Sequence, residues 1–389
     1  MRNHFRNSLI LFLTTLFVYL FSSRGEGAQW NHFVYLADAF LHGHLYVPNI
    51  LTELASWNGH YFVVYPPMPA ILLMPFIAIF GTSFYQPILS IALGAVNVSL
   101  SYIVISKFFR NNKLSLWVSI LYAFGTIQWY HAEVGSSWYV AHIVALFFLW
   151  LSLLELATKQ RFFLIGFFIG AAYLARLPTI LAAAFVFFYL HQKFFRYKDK
   201  TFVLNFRNLF LFFVGLAPAV LFNGVYNYFR FGTIFDVGYS LLPIFNEPWY
   251  RYGLFDVRYI PIHINELFTS LPVFSNQLPY IVPSIYIMAL WFVTPAFLLV
   301  IRANFRTKLS IASLVALIVI SLPGLAHGNN GSTQFGYRFA LDFMPYLIIL
   351  TTSGLQNHFK WWAKLLIVLS VLINLWGVIM ISFFNIWTM

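Results

Sequence analysis

The groups most able to do chemistry are crowded into one stretch, residues 24–80. It reads RGEGAQWNHFVYLADAFLHGHLYVPNILTELASWNGHYFVVYPPMPAILLMPFIAIF and holds Glu26, Asp38 and Glu53 with His32, His42, His44 and His60. Carboxylates of this kind accept or deliver protons. A second short polar segment, WYHAEVGSSWY, brings His131 and Glu133, a nitrogen and an oxygen donor that with Glu26 suit a divalent ion. Glu133 otherwise reads as an ordinary loop residue. A third, HGNNGSTQFGYRF, carries Tyr337 and Arg338. Arginine grips phosphate or carboxylate with a planar two-toothed fork. Asp342, four residues on, is the alternative partner for Arg338 on a helix. The four histidines of 24–80 have no ligand-like register and read as hydrogen-bonding surface groups.

The elements that must carry these groups follow from spacing. From His32 to Leu41 the apolar residues Phe33, Leu36, Ala37, Phe40 and Leu41 fall on one helical face, with Tyr35, Asp38 and His42 on the other. Gly43 stops the helix. Ten residues cannot cross a bilayer, so this helix is expected to lie in the membrane interface with its polar face toward water or a cavity. Tyr65-Pro66-Pro67 breaks any helix and Pro69 starts another, again too short to span comfortably. Residues 24–80 therefore read as a structured external loop. Residues 229–280 form a second long external connection, within a single membrane domain covering 1–389.

Composition sets the class. Of 389 residues 61% are hydrophobic, 9% are charged and the mean hydropathy is +0.77, which excludes an ordinary soluble domain. Cysteine is absent, so thiol chemistry and disulfides are too. The net charge of +12 does not point to nucleic acid, because the basic residues sit in short loops between apolar runs, where lipid headgroups are the partner. Apolar runs occur near 8–23, 86–107, 114–130, 138–157, 162–175, 178–190, 208–228, 281–301, 309–326, 341–355 and 364–387. The expectation is an all-α polytopic membrane protein with about eleven transmembrane helices and interfacial helices in its first external loop. The first run is read as a retained span rather than a cleaved signal.

With the N-terminus in the cytoplasm, the basic clusters at 107–113, 159–161, 193–207, 302–308 and 360–364 all fall inside. The external basic residues are then Arg24, Arg176, Arg230, Arg251, Arg258 and Arg338, without a lysine, and most carboxylates join them. The working face is external. Runs 162–175 and 178–190 are short, about 21 Å against a hydrocarbon core of about 30 Å. The turn Arg176-Leu177-Pro178 is thus expected below the outer surface, with Arg176 facing a cavity or snorkelling to headgroups.

No phosphate-loop, zinc-protease, hydrolase-elbow or dinucleotide motif occurs. The order HFVYLADAFLHG, YPPMPAILLMPF, YNYFRFGTIFDVGYS, GLFDVRYIP and QFGYRFALDFMPYL resembles the GT-C glycosyltransferases, which include the protein O-mannosyltransferases and lipid A aminoarabinose transferases. The resemblance implies a sugar moved, usually with inversion, from a polyprenyl-phosphate donor to a glycan, lipid or protein acceptor at the external face of the cell membrane. Aligned on HFVYLADAFLHG, that family's acidic pair falls at Gln29-Trp30, and the nearest carboxylate is Glu26.

The implied roles are Glu26 as base or helix-capping carboxylate, Asp38 as a solvated residue or substitute base, and Glu133 as a second acid. Arg338, Tyr337 and Arg176 would hold the donor phosphate. His131 and Glu133 would hold any divalent metal. The alternative is a transporter or flippase of a lipid-linked saccharide, which would show related halves and midplane polar groups on both sides. Crowding of ionisable groups on one face favours the enzyme. The loop charges predict that reporter fusions placed after Lys113 and after Lys200 both signal cytoplasm; an external signal from either contradicts the arrangement.

Overall fold

The structure is a computed structural model that describes residues 2–25, 27–198, 201–356 and 359–386. Helix α1 (Arg2–Ser22) leads into the first loop, which contains α2 (His32–Leu41), the hairpin β1 (Leu54–Trp57) and β2 (His60–Val63), and α3 (Met68–Phe80). There follow α4 (Pro87–Phe109), α5 (Asn112–Phe124), α6 (Gln128–Val134), α7 (Ser137–Ala157), α8 (Phe162–Tyr173), α9 (Ala183–Tyr189) and α10 (His191–Phe194). A hairpin of β3 (Phe195–Lys198) and β4 (Thr201–Leu204) precedes α11 (Phe206–Phe231). The second half adds α12 (Tyr259–Thr269), β5 (Val273–Phe274), β6 (Ile281–Val282), α13 (Leu290–Val293), α14 (Lys308–Ala326), α15 (Met344–Gln356) and α16 (Trp361–Val378).

Among the described residues six helices are long and apolar enough to cross a membrane: 4–22, 87–109, 137–157, 206–231, 308–326 and 361–383. The other apolar runs are shorter or broken. The run 114–130 divides into α5 and α6 at Gly125. The run 281–301, expected as a helix, is instead β6, a bend, α13 and a 3₁₀ stretch over Pro295–Arg302. Pro283 and Pro295 lack the N–H a helix needs there. Side chains from neighbours satisfy the freed backbone: Asn374 donates to the Val293 carbonyl at 2.8 Å, and Ser370 Oγ accepts from the Ala296 amide at 3.1 Å. Irregular backbone inside an apolar protein needs such partners.

The first-loop helices form as their spacing requires. Phe33, Leu36 and Ala37 of α2 are fully buried and the helix packs on α3. Helix α8 packs on both α7 and α11. Its contact with α11 is set by glycine: a Cβ on Gly166 would lie 2.0 Å from the Phe212 carbonyl oxygen, and one on Gly215 2.0 Å from that of Phe163. The two backbones touch, which is how apolar helices associate without a hydrophobic driving force. Buried polar side chains add interhelical links, as where Asn97 donates to the Ile143 carbonyl at 3.0 Å.

Helix α8 ends at Tyr173, and a 3₁₀ stretch over Leu177–Ala182 intervenes before α9. Pro178 cannot donate, and the Leu174 carbonyl accepts from the Met68 amide of the first loop at 2.9 Å. The break is thereby tied to the start of α3. Gly166→Val is predicted to destabilise the fold by overpacking, by about 1–3 kcal/mol, read as a lowered melting temperature in detergent. An unchanged melting temperature contradicts the close α8–α11 contact.

Candidate active site

A cavity of about 590 Å³ opens where five parts of the chain meet. The first loop contributes Trp30, Glu53 and Val64, and the first turn of α7 contributes Trp138. The break after α8 contributes Arg176, the long loop Asp236, Tyr239 and Tyr250, and the segment after α14 His327, Arg338 and Phe339. Each wall has a local cause. The β1–β2 hairpin turns at Asn58 and Gly59, both at positive φ (49° and 78°), the pairing that suits a tight two-residue hairpin. Arg230 of α11 donates to the Val63 carbonyl at 2.7 Å and pins the hairpin to that helix.

Arg176 approaches from the helix break. Its Nε and Nη2 donate to the two oxygens of Asp342 at 3.3 and 3.1 Å. His142 on α7 donates from Nδ1 to Asp342 Oδ1 at 2.7 Å. The pair is nearly dry, with 19% of the Arg176 side chain and 4% of the Asp342 side chain exposed. Asp342 therefore pairs with Arg176, and the alternative pairing with Arg338 at i+4 is not formed. Arg338 has no carboxylate within ion-pair distance among the described residues. Its Nη1 donates to the Ser332 carbonyl at 3.1 Å, and its amide donates to Gln334 Oε1 at 3.2 Å. Gly331, at φ +92°, lets the loop fold over the guanidinium: a Cβ there would lie 2.8 Å from Arg338 Cζ. The Arg176 and Arg338 guanidiniums flank one ring, 5.4 and 5.3 Å from the Phe339 centroid.

The other sequence candidates are distributed differently. Glu26 lies outside the described residues. Asp38 sits on the outer face of α2, 3.6 Å from His42, and neither it nor Tyr35 is among the cavity-lining residues. Glu133 is fully buried and accepts from Ser382 at 2.7 Å. His131 is also fully buried, its Nδ1 donating to the Ile127 carbonyl at 2.7 Å and its ring 4.3 Å from that of Tyr139. Among the described residues no three His, Asp or Glu groups converge as a metal site. Tyr337 is buried beside Phe339, their rings 5.6 Å apart, and does not line the cavity.

Two cavity carboxylates were not singled out by motif: Glu53 and Asp236. The Asn58-Gly59 turn is the sequence signal that positions Glu53 at the mouth of a hairpin. Burial raises the Asp236 carboxyl above the usual range, against the opposing pull of Arg230 and the Gly238 amide, which donates to it at 3.1 Å. Burial pushes His327 down to about 4, so its imidazole is neutral near pH 7; its Nδ1 donates to the Asn329 carbonyl at 2.7 Å. A separate groove of about 390 Å³ lies between the first loop and α11, lined by Phe40, Leu45, Ile71, Met74, Phe222 and Phe229 among others.

No protein-family model matches the sequence, and no curated protein matches it. Solved structures do resemble the fold. ArnT from Cupriavidus metallidurans bound to undecaprenyl phosphate aligns with a TM-score of 0.56 at 13% identity, over 92% of this chain and 61% of that one. Its apo state gives 0.53 at 15% identity over the same shares. The apo oligosaccharyltransferase of Archaeoglobus fulgidus gives 0.51 at 12% identity, over 97% of this chain and 55% of that one. These are GT-C glycosyltransferases, and the chain shares their fold. It spans about three-fifths of the length of ArnT.

Removing one partner of a buried ion pair strands the other, at a cost of about 3–5 kcal/mol. Asp342→Ala is therefore predicted to lower thermal stability strongly, while Arg338→Ala leaves it nearly unchanged. Equal melting temperatures for the two variants contradict the assignment of Asp342 to Arg176.

Proposed function

We propose that this chain transfers a sugar from a polyprenyl-phosphate-linked donor to a glycan, lipid or protein acceptor at the external face of the cell membrane. The observation that carries the reading is the convergence of two guanidiniums on Phe339 at one cavity wall, with only one of them, among the described residues, neutralised by a carboxylate. That leaves net positive charge where a phosphate would leave. The apolar groove beside α11 suits a prenyl tail. Support also comes from the fold shared with ArnT, whose solved structure holds undecaprenyl phosphate. In this reading the six long helices and the broken apolar segments together make about eleven spans, with the cavity outside.

The chemistry is a displacement at the anomeric carbon. The acceptor oxygen bonds to that carbon as the bond to the phosphate oxygen breaks, with inversion. Arg338 and Arg176 stabilise the charge developing on the phosphate without a proton transfer, as a preorganised cation should. The acceptor's proton passes to a carboxylate. Glu26 is the proposed base, supported by its place four residues before the cavity-lining Trp30. Asp38 and Glu133 are the substitutes, and Tyr337 backs the arginine wall. If transfer uses a divalent ion, His131 and Glu133 are its proposed ligands.

The test is transfer from a radiolabelled polyprenyl-phosphate sugar in purified membranes, with donor binding measured separately. Arg338→Ala is predicted to weaken donor binding by about 10–100-fold, the scale of lost hydrogen bonds to a charged group. Arg338→Lys restores only part, because the fork is gone. Glu26→Gln is predicted to keep donor binding and lower turnover by about 10²–10⁴-fold. Full turnover in Glu26→Gln removes Glu26 as the base. Unchanged donor binding in Arg338→Ala contradicts the phosphate site.

A further inference from the structure

Glu53 is held with more care than a loop carboxylate requires. Its Oε2 accepts from the Tyr65 hydroxyl at 2.7 Å and from Trp138 Nε1 at 3.1 Å. Both donors fall on the same oxygen, so the carboxylate plane is set and Oε1 carries no hydrogen bond from a described residue. No arginine, lysine or histidine of the described residues lies within ion-pair distance of Glu53. The backbone is constrained as well. Glu53 has φ +56°, a left-handed conformation that side-chain-bearing residues adopt rarely. The preceding carbonyl, that of Thr52, lies 2.7 Å from His32 Nε2, which donates to it.

The same corner of the cavity is walled by two indoles. Trp30 and Trp138 lie with ring centroids 5.2 Å apart and their planes 52° from parallel. Trp30 is fixed through its carbonyl, which accepts from the Ser137 amide at 2.9 Å, from Ser137 Oγ at 2.6 Å and from Gln86 Nε2 at 3.1 Å. A rigid, acceptor-only oxygen beside a rigid aromatic wall selects a particular chemistry. It repels phosphate, and it leaves a purely apolar ligand with an unsatisfied carboxylate. It suits a ring with hydroxyl donors on its edge and C–H groups on its face.

Resting on the sugar-transfer reading, we propose that Glu53, Trp30 and Trp138 form a sugar-binding subsite. The free Oε1 of Glu53 accepts from ring hydroxyls of a hexose, and the two indoles cover the apolar face of that hexose. The subsite is distinct in residues from the arginine wall that takes the phosphate, so the two contributions to donor affinity separate.

The experiment compares binding of undecaprenyl phosphate with binding of undecaprenyl-phosphate-linked glucose, mannose and galactose to the purified full chain and to Glu53→Gln. Glutamine keeps one oxygen for Tyr65 and Trp138 and replaces Oε1 by an amide that cannot accept. The wild type is expected to bind at least one hexose-bearing lipid about 10–100-fold more tightly than undecaprenyl phosphate, the range for a charge-assisted hydrogen bond set. Glu53→Gln is expected to lose that increment while keeping at least the wild-type affinity for undecaprenyl phosphate, which also reports that it is folded. A wild type that binds undecaprenyl phosphate with no increment for any of the three sugars overturns the subsite. So does an increment that survives in Glu53→Gln. A wild type that does not bind undecaprenyl phosphate at all contradicts the phosphate site, and with it the reading on which the subsite rests.

Discussion

Arg176 stands where α8 has broken, and its guanidinium is closed on Asp342, 166 residues further along the chain. A charge so little exposed is tolerable only when paired and hydrogen-bonded. The pairing and the helix break together therefore place three other elements. Asp342 brings the segment that precedes α15 against the break, and His142 brings the N-terminal part of α7 to the same carboxylate. The Leu174 carbonyl, released by the same break, takes the Met68 amide and so anchors the first loop. One interrupted helix thus joins four of the cavity's five walls.

The same economy of partners runs through the irregular parts. Residues 281–301 abandon the helix, yet Asn374 and Ser370 of α16 supply the bonds their backbone lacks. The first-loop hairpin gains a donor from Arg230, whose guanidinium also lies 3.9 Å from the Tyr226 ring centroid. At Val293, Ala296 and Val63 the non-helical backbone is met by neighbouring side chains. This is the condition under which membrane proteins keep such backbone at all. It also explains why the site is built from loops while the long helices serve as scaffold.

Much of this is legible in the residues. The helix over 32–41 follows from the spacing of Phe33, Leu36 and Ala37, because a short amphipathic face has one way to bury itself. The break at Arg176-Leu177-Pro178 follows from two runs too short to span. The partner of Asp342 is not legible: i+4 spacing favours Arg338, but the intervening residues form a 3₁₀ turn, and the stranded Arg176 has the stronger need of a carboxylate. The helix expected over 281–301 fails because hydropathy does not register that Pro283 and Pro295 interrupt it. Glu53 and Asp236 stand in the segments the sequence marks out, but their place in the cavity is not legible, because local pattern does not say which loop carboxylates a tertiary cavity will gather.

In the proposed site a phosphate lies between Arg176, paired with Asp342, and Arg338, which has no carboxylate partner among the described residues, against the Phe339 ring. A density map of the purified chain with undecaprenyl phosphate tests that claim most directly. The account predicts phosphate density within hydrogen-bond reach of Arg338 and beside Arg176, with the prenyl chain leaving toward the groove along α11. Phosphate density elsewhere, out of reach of both arginines, contradicts it.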